Sequence, residues 1–356
     1  MTADFQHPEE RGAVWINELD PEKRYGVIGF RTSKWKLFSD PSAWGSEPIL
    51  YSGTAGSMQG VQMASDEGFL YLRIPGACTT CKIKRTYAVA LNTIPDGAGT
   101  RQLPLADQSK APTGANFFLY LGDPARARLL IAQNYNPYKI VPRDGVPNET
   151  ELGYKRDFTP TIAEAGNFEE FIVETNRRRF GRDGTLYPGQ RYSRSVLRYA
   201  ASDAEKADTI PEWYSDAHGI IVRVPWGKLL ITDPSSHRAF FGFGPNGMRT
   251  AASIGIDVSV FELDETGAPG NMRQAKITGR YPATGGAKPA RYYWKGWEKV
   301  QPQPYFKKAY FALQKELLEQ TRDPNHKDGN RSGAASDRRS EQQRAEAQNA
   351  AAAVRR

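Results

Sequence analysis

The run Arg291-Tyr292-Tyr293-Trp294-Lys295-Gly296-Trp297 is the densest concentration of recognition chemistry in this chain. A pyranose ring has an apolar C–H face that packs on a flat aromatic ring, and its hydroxyls need charged or amide partners beside it. Trp294 and Trp297, three positions apart, can present rings on one surface, with Tyr293 and Arg291 next to them. These four are the candidate glycan contacts. The competing assignment is that the same aromatics pin a final helix to the body of the protein.

A second chemistry sits between positions 177 and 198, where seven arginines face one acid, Asp183. Arg177, Arg178, Arg179 and Arg182 head the run and are the candidate polyanion contacts. Such a local excess can meet a nucleic acid, an acidic glycan or a phosphate polymer. The alternative is a solvated loop whose arginines pair with acids elsewhere. Tyr187, Tyr192 and Tyr199 interleave with the arginines, but the segment has neither a helical nor a strand period, which disfavours nucleic acid.

Catalytic patterns are weak. A glycosidase needs two carboxyls facing each other across a cleft. Asp66-Glu67 and Glu169-Glu170 are adjacent pairs whose side chains diverge. His7, His218, His237 and His326 all lie in polar stretches, with no Gly-x-Ser-x-Gly elbow. Phosphate-cradling and dinucleotide glycine motifs are not seen. The cysteines form a single Cys78-Thr79-Thr80-Cys81, without the second pair or neighbouring His of a zinc site. That leaves a small disulfide or two free thiols. No cofactor is expected, although Asp264-Glu265-Thr266-Gly267 and residues 92–96 could help hold a structural calcium.

The elements that must position these groups read as strands. Within residues 60–99, Val61 and Met63 face one way and Gln62 the other. Asp66-Glu67-Gly68 is a tight turn, residues 69–74 and 87–91 are apolar strands, and Pro95-Asp96-Gly97 closes the last. Further strands are expected at 25–30, 49–51, 117–121, 128–133, 168–173, 219–225, 240–244 and 254–263. Pro225 removes a ladder N–H and ends its strand in a short helical turn. Trp44 and Trp226 read as core, whereas Trp35 and Trp213 sit in polar stretches and are candidates for exposure. Residues 53–60, 101–114 and 134–166 read as loops. One amphipathic helix is expected at 305–320, with Pro304 at its start and Tyr310, Leu313 and Leu317 on one face.

The expected fold is therefore all-β: a two-sheet antiparallel β-sandwich with long loops and a C-terminal amphipathic helix. An N-terminal segment (1–30) precedes the sandwich domain (31–320), and a disordered tail (321–356) follows it. The chain of 356 residues carries a formal net charge of +8, of which the tail supplies a part. The polar, acidic start has no signal-peptide core, and no apolar run reaches membrane-spanning length. As written, the chain is expected to be cytoplasmic, or extracellular and surface-bound if it is a detached part of a larger protein.

The order of the pieces resembles the β-sandwich of family 9 carbohydrate-binding modules and the wider DOMON-like group. The carrying motifs are Asp40-Pro-Ser-Ala-Trp44, Ser65-Asp-Glu-Gly-Phe-Leu-Tyr-Leu72, Ala90-Leu-Asn-Thr-Ile-Pro-Asp-Gly97 and Ile221-Val-Arg-Val-Pro-Trp226. More narrowly, the chain is similar to the sandwich C-terminal to glycosidase-like barrels in large bacterial surface proteins. There a Trp-x-x-Trp precedes a helix, as Trp294-Lys-Gly-Trp297 does here. Asn92 stands where that group has Asp. The resemblance implies a non-catalytic accessory domain that binds a poly- or oligosaccharide. An interaction domain docking on a barrel protein through residues 5–30 is the alternative, and hydrolysis is expected only where such a barrel is present.

Overall fold

Apolar residues alternate through the central strands, and the alternation decides what each sheet buries. In Thr86–Asn92, Tyr87, Val89 and Leu91 join one core while Ala88 and Ala90 join another. In Phe69–Pro75, Leu70, Leu72 and Ile74 point into the same first core, and Tyr71 points away from it. Every other residue must find a separate cover, so both sheets are buried on both faces.

The computed structural model describes residues 34, 36–81, 85–106, 109–142, 145, 147–148, 150–176, 178–202, 211–267, 270–284 and 286–296, and three short strands before them. Trp35, Arg177, Trp297, the expected helix at 305–320 and the tail at 321–356 lie outside the described residues. The chain divides into two units, Met1–Gln303 and Pro304–Arg356, and the second lies wholly outside them.

The architecture is an all-β sandwich. One sheet has five antiparallel strands in the order Trp213–Asp216, Gly219–Pro225, Phe69–Pro75, Met58–Ser65, Ile49–Ala55. The other runs Phe168–Glu170, Arg128–Ala132, Phe117–Leu121, Thr86–Asn92, Ile256–Asp264, Lys276–Tyr281, and Ala290–Tyr292 also pairs with Ile256–Asp264. Between them lie Val61, Met63, Leu72, Val89, Phe117, Leu119, Val222, Trp226 and Val260. Outside the five-stranded sheet, Leu37, Phe38 and Trp44 pack on Tyr71, Tyr214 and Ile221. Outside the seven-stranded sheet, Leu103, Leu105 and Ala111 pack on Phe118 and Phe261.

The turn at 66–68 and the strand end at Pro225, followed by the short helical turn Trp226–Leu229, fall where the sequence reading puts them. Trp44 and Trp226 are core residues. Trp213 is a correction: it is fully buried on an edge strand, its indole bonded to the Leu197 carbonyl. Its polar neighbours Glu212 and Ser215 are buried as well, held by Lys228 and by the Thr79 N–H. Residues 53–60, read as a loop, complete the hairpin of Ile49–Ala55 and Met58–Ser65. Residues 101–114, also read as a loop, hold the strands Gly99–Gln102 and Lys110–Ala115 that cover the seven-stranded sheet. In the N-terminal segment, Ala3–Asp4, Ala13–Ile16 and Val27–Gly29 form an antiparallel sheet of their own. Among the described residues no helix is long and apolar enough to cross a membrane.

Candidate functional site

In the tryptophan run Trp294 does not present an open ring, and Trp297 lies outside the described residues. Trp294 is only 6% exposed, packs against Trp226 and His237, and bonds Pro234 through its indole N–H. As placed it is a packing residue, a correction to the expected stacking role. Its ring is drawn inward because the preceding strand, Ala290–Tyr292, joins the seven-stranded sheet and carries it over Trp226. Arg291 donates to Asp257 through Nε and Nη2, so its fork is already engaged. Tyr293 is 69% exposed.

The buried carboxylates among the described residues are Asp66, Glu212, Asp257 and Glu262, and each is held by protein donors. Asp66 accepts from the backbone N–H of Lys34, Gly68 and Phe69 and from the Tyr71 hydroxyl, while burial pushes its carboxyl up. Glu212 meets Lys228 at 2.5 Å, and burial pushes the lysine down. Glu262 accepts from Ser57 and Thr278. Ser57 also meets the Tyr87 hydroxyl, which accepts from the N–H of Cys78. That chain of bonds anchors the Cys78–Cys81 disulfide loop.

The loops considered for calcium are engaged as well. Asp264 bonds Thr266 and pairs with Arg85, and Glu265 accepts from Tyr120 and Gly270. The Asn92 amide donates to the carbonyls of Thr113 and Gly114. No group of three or more His, Cys, Asp or Glu suited to a metal occurs among the described residues.

The arginine segment is built as a two-stranded arm, not a loop. Ile172–Asn176 pairs with Gln190–Ser193, and Arg179–Phe180 pairs with Leu186–Tyr187. Residues 181–185 close it: Gly181 N–H bonds Thr185 O, Asp183 accepts from Thr185, and Gly184 takes a φ of +81° that a side chain would resist. The guanidiniums of Arg178 and Arg179 lie over Phe180 and Tyr187, at 5.7 and 5.5 Å from the ring centres. Arg182 is exposed near the turn.

The base of this arm adjoins a surface that the sequence reading passed over. Within residues 134–166, Tyr138–Pro142 pairs with Thr150–Tyr154, and its register sets Tyr138 opposite Tyr154. Their ring centres are 4.8 Å apart and their hydroxyls 3.3 Å apart. Tyr154, 55% exposed, meets Phe243 edge-on at 5.4 Å. Tyr138 contacts Phe171, and the Arg194 guanidinium lies 5.2 Å from that same ring. Tyr192, 50% exposed, and Arg194 both act electrostatically on the Tyr138 phenol. Burial, then the Tyr154 hydroxyl, push that phenol well above its ordinary range, so it stays a neutral donor and acceptor.

Gly242 makes the surface possible. It has a φ of +95°, and a Cβ there would run into the Phe158 carbonyl. That carbonyl accepts from the N–H of Phe243 at 2.7 Å and thereby sets the Phe243 ring beside Tyr154. A separate cleft of about 250 Å³ is lined by Gln102, Leu103, Ala165, Gly166, Asn167 and Arg273, without an aromatic ring. The signal for the tyrosine surface was present as Tyr138 and Tyr154, but their pairing across a 16-residue interval has no local signature.

Fold and site together define a class: an all-β sandwich with a solvent-facing aromatic surface continuous with a basic β-arm. In comparisons with protein families, characterised proteins and solved structures, the chain has no significant match.

Proposed function

We propose that this protein is a non-catalytic, carbohydrate-binding-like sandwich that recognises a glycan as an accessory domain. The observation that carries the reading is the Tyr138–Tyr154 pair, with Phe243 beside it. Two phenols with adjacent hydroxyls offer ring surface to the apolar face of a sugar and both donors and acceptors to its hydroxyls. Arg194 and Lys155 border the surface with further donors. The motif order shared with family 9 modules and DOMON-like sandwiches supports the same reading. The ligand contact moves from Trp294 to the tyrosine surface, and among the described candidates Tyr293 keeps an exposed ring.

Affinity electrophoresis through gels containing a panel of neutral and acidic polysaccharides tests this. Retardation by at least one polymer, reduced by Tyr154→Ala, is expected. Migration unchanged in every gel would reject the proposal.

A further inference from the structure

The basic arm supplies what the tyrosine surface lacks, which is charge. Residues 182–192 are all exposed, and Phe180, Leu186, Tyr187 and Tyr192 leave large apolar surface in water, with Phe180 63% exposed. Exposed apolar surface of this kind, interleaved with charge, marks a binding face. Across the arm and its base, Arg178, Arg179, Arg182, Arg191 and Arg194 outnumber Glu174 and Asp183. Glu174 is taken by Arg191 at 3.2 Å, and the Asp183 carboxylate by Thr185. Both acids keep their charge, but two against five arginines leave the arm with a net positive field.

We infer that the glycan is anionic, and that its chain runs from the Tyr138–Tyr154 surface along the arm, where Arg179 and Arg182 meet its carboxylate or sulfate groups. This rests on the glycan reading above. Three observations carry it. The arm is continuous with the surface: Arg191 bonds Thr150 O on the strand that ends at Tyr154, and Arg194, at the arm's base, lies over the Phe171 ring that Tyr138 contacts. The arginines are set for oxyanions. The Arg179 guanidinium lies over the Tyr187 ring at 5.5 Å from its centre, and a guanidinium held on a ring can still fork its N–H donors onto a carboxylate or sulfate. The array is also extended: two strand pairs follow one another along the arm, Ile172–Asn176 with Gln190–Ser193 and Arg179–Phe180 with Leu186–Tyr187, which suits a polymer better than a single sugar.

The test uses the full chain and four probes: sodium polygalacturonate, the same polymer after carboxyl reduction, chondroitin sulfate, and single-stranded DNA. Native polygalacturonate or chondroitin sulfate is expected to bind about tenfold or more tightly than the reduced polymer, and tighter binding of chondroitin sulfate, which carries both carboxylate and sulfate, would show that sulfate adds to carboxylate. Raising salt from about 50 to about 200 mM should remove most of that preference. The exposed double variant Arg179→Ala/Arg182→Ala should lose the preference while keeping binding to the reduced polymer. Arg179→Lys/Arg182→Lys, which keeps charge without the fork, should fall between. Equal binding of native and reduced polymer, both weakened by Tyr154→Ala, overturns the anionic inference and leaves the glycan reading standing. DNA bound as tightly as either acidic glycan, with no effect of Tyr154→Ala, overturns it in favour of a general polyanion arm. No binding of any polysaccharide rejects the glycan reading, and the inference with it.

Discussion

Arg291 and Asp257 face each other across paired strands and exchange two bonds, Nε to Oδ1 at 2.5 Å and Nη2 to Oδ2 at 3.1 Å. The pair fastens the last described strand to the seven-stranded sheet, and Trp294 follows three residues later. A guanidinium clamped in this way holds the chain rather than a ligand.

Removing the buried Asp257 takes both short bonds from the half-buried Arg291 guanidinium and leaves Asp96, at 4.0 Å, as an acidic neighbour. Asp257→Ala is expected to cost about 3 kcal/mol of stability, and Arg291→Met added to it should recover part of the loss. Urea unfolding of the two variants measures both effects. An unchanged midpoint for the single variant would show the pair to be ornamental.

Trp294→Ala and Tyr154→Ala should separate packing from binding. The buried tryptophan should cost about 3–5 kcal/mol on truncation. The half-exposed tyrosine should cost about 1 kcal/mol or less, while glycan affinity falls about tenfold, a loss near 1.4 kcal/mol. Parallel urea unfolding and affinity gels decide it; a stable Trp294→Ala protein that has lost glycan binding would return the site to the tryptophan run.

Alkaline pH should unfold the sandwich through its buried phenols. Burial is the main cause that pushes Tyr51 and Tyr292 up to about 12. In the unfolded chain both lose their protons near pH 10, by about two units earlier. The folded state therefore holds more protons in that window, and stability falls as pH rises from about 10 to about 12. Below pH 10 their contribution is fully present. Tyr51→Phe should lower the baseline, since its hydroxyl bonds Val258 O and the Ala290 N–H, yet flatten the decline. Thermal midpoints recorded across this range would show an equal slope in both proteins if the phenols are not responsible.

The Cys78–Cys81 bond closes a very short loop, with a sequence separation of 3. Loop-closure entropy then allows about 2 kcal/mol at most. Reduction should leave a folded protein with a slightly lower urea midpoint and two thiols that titrate with Ellman's reagent. Complete unfolding on reduction would contradict this.

Gly242→Ala and Gly247→Ala form a matched pair, since φ is positive at both, +95° and +99°. Only at Gly242 does a Cβ meet another atom, the Phe158 carbonyl. Gly247→Ala should cost about 1 kcal/mol of backbone strain. Gly242→Ala should cost about 2 kcal/mol or more and weaken glycan binding by displacing Phe243. Comparable effects at both positions would mean that the Phe158 contact does not shape the site.

The all-β class, the turn at 66–68, the strand stop at Pro225 and the core roles of Trp44 and Trp226 were legible from the chain. Each depends on side-chain alternation, or on one residue's backbone chemistry, within a few positions. Trp213 was misread because its strand is short and its neighbours polar; its burial comes from pairing with Gly219–Pro225. The Tyr138–Tyr154 hairpin was hidden because residues 134–166 carry prolines and little period, so register had to be set by where the chain returned.

Local pattern determined that the chain forms strands, which of their faces are apolar, and where positive charge concentrates. Tertiary structure alone decided that Arg291 meets Asp257, that Trp294 turns inward onto Trp226, and that Tyr138, Tyr154 and Phe243 share one surface. The physical reason is distance along the chain. Alternation is a property of neighbouring residues, whereas those partnerships join residues 16 to more than 60 positions apart and follow from strand register and crossing, which no short window of sequence contains.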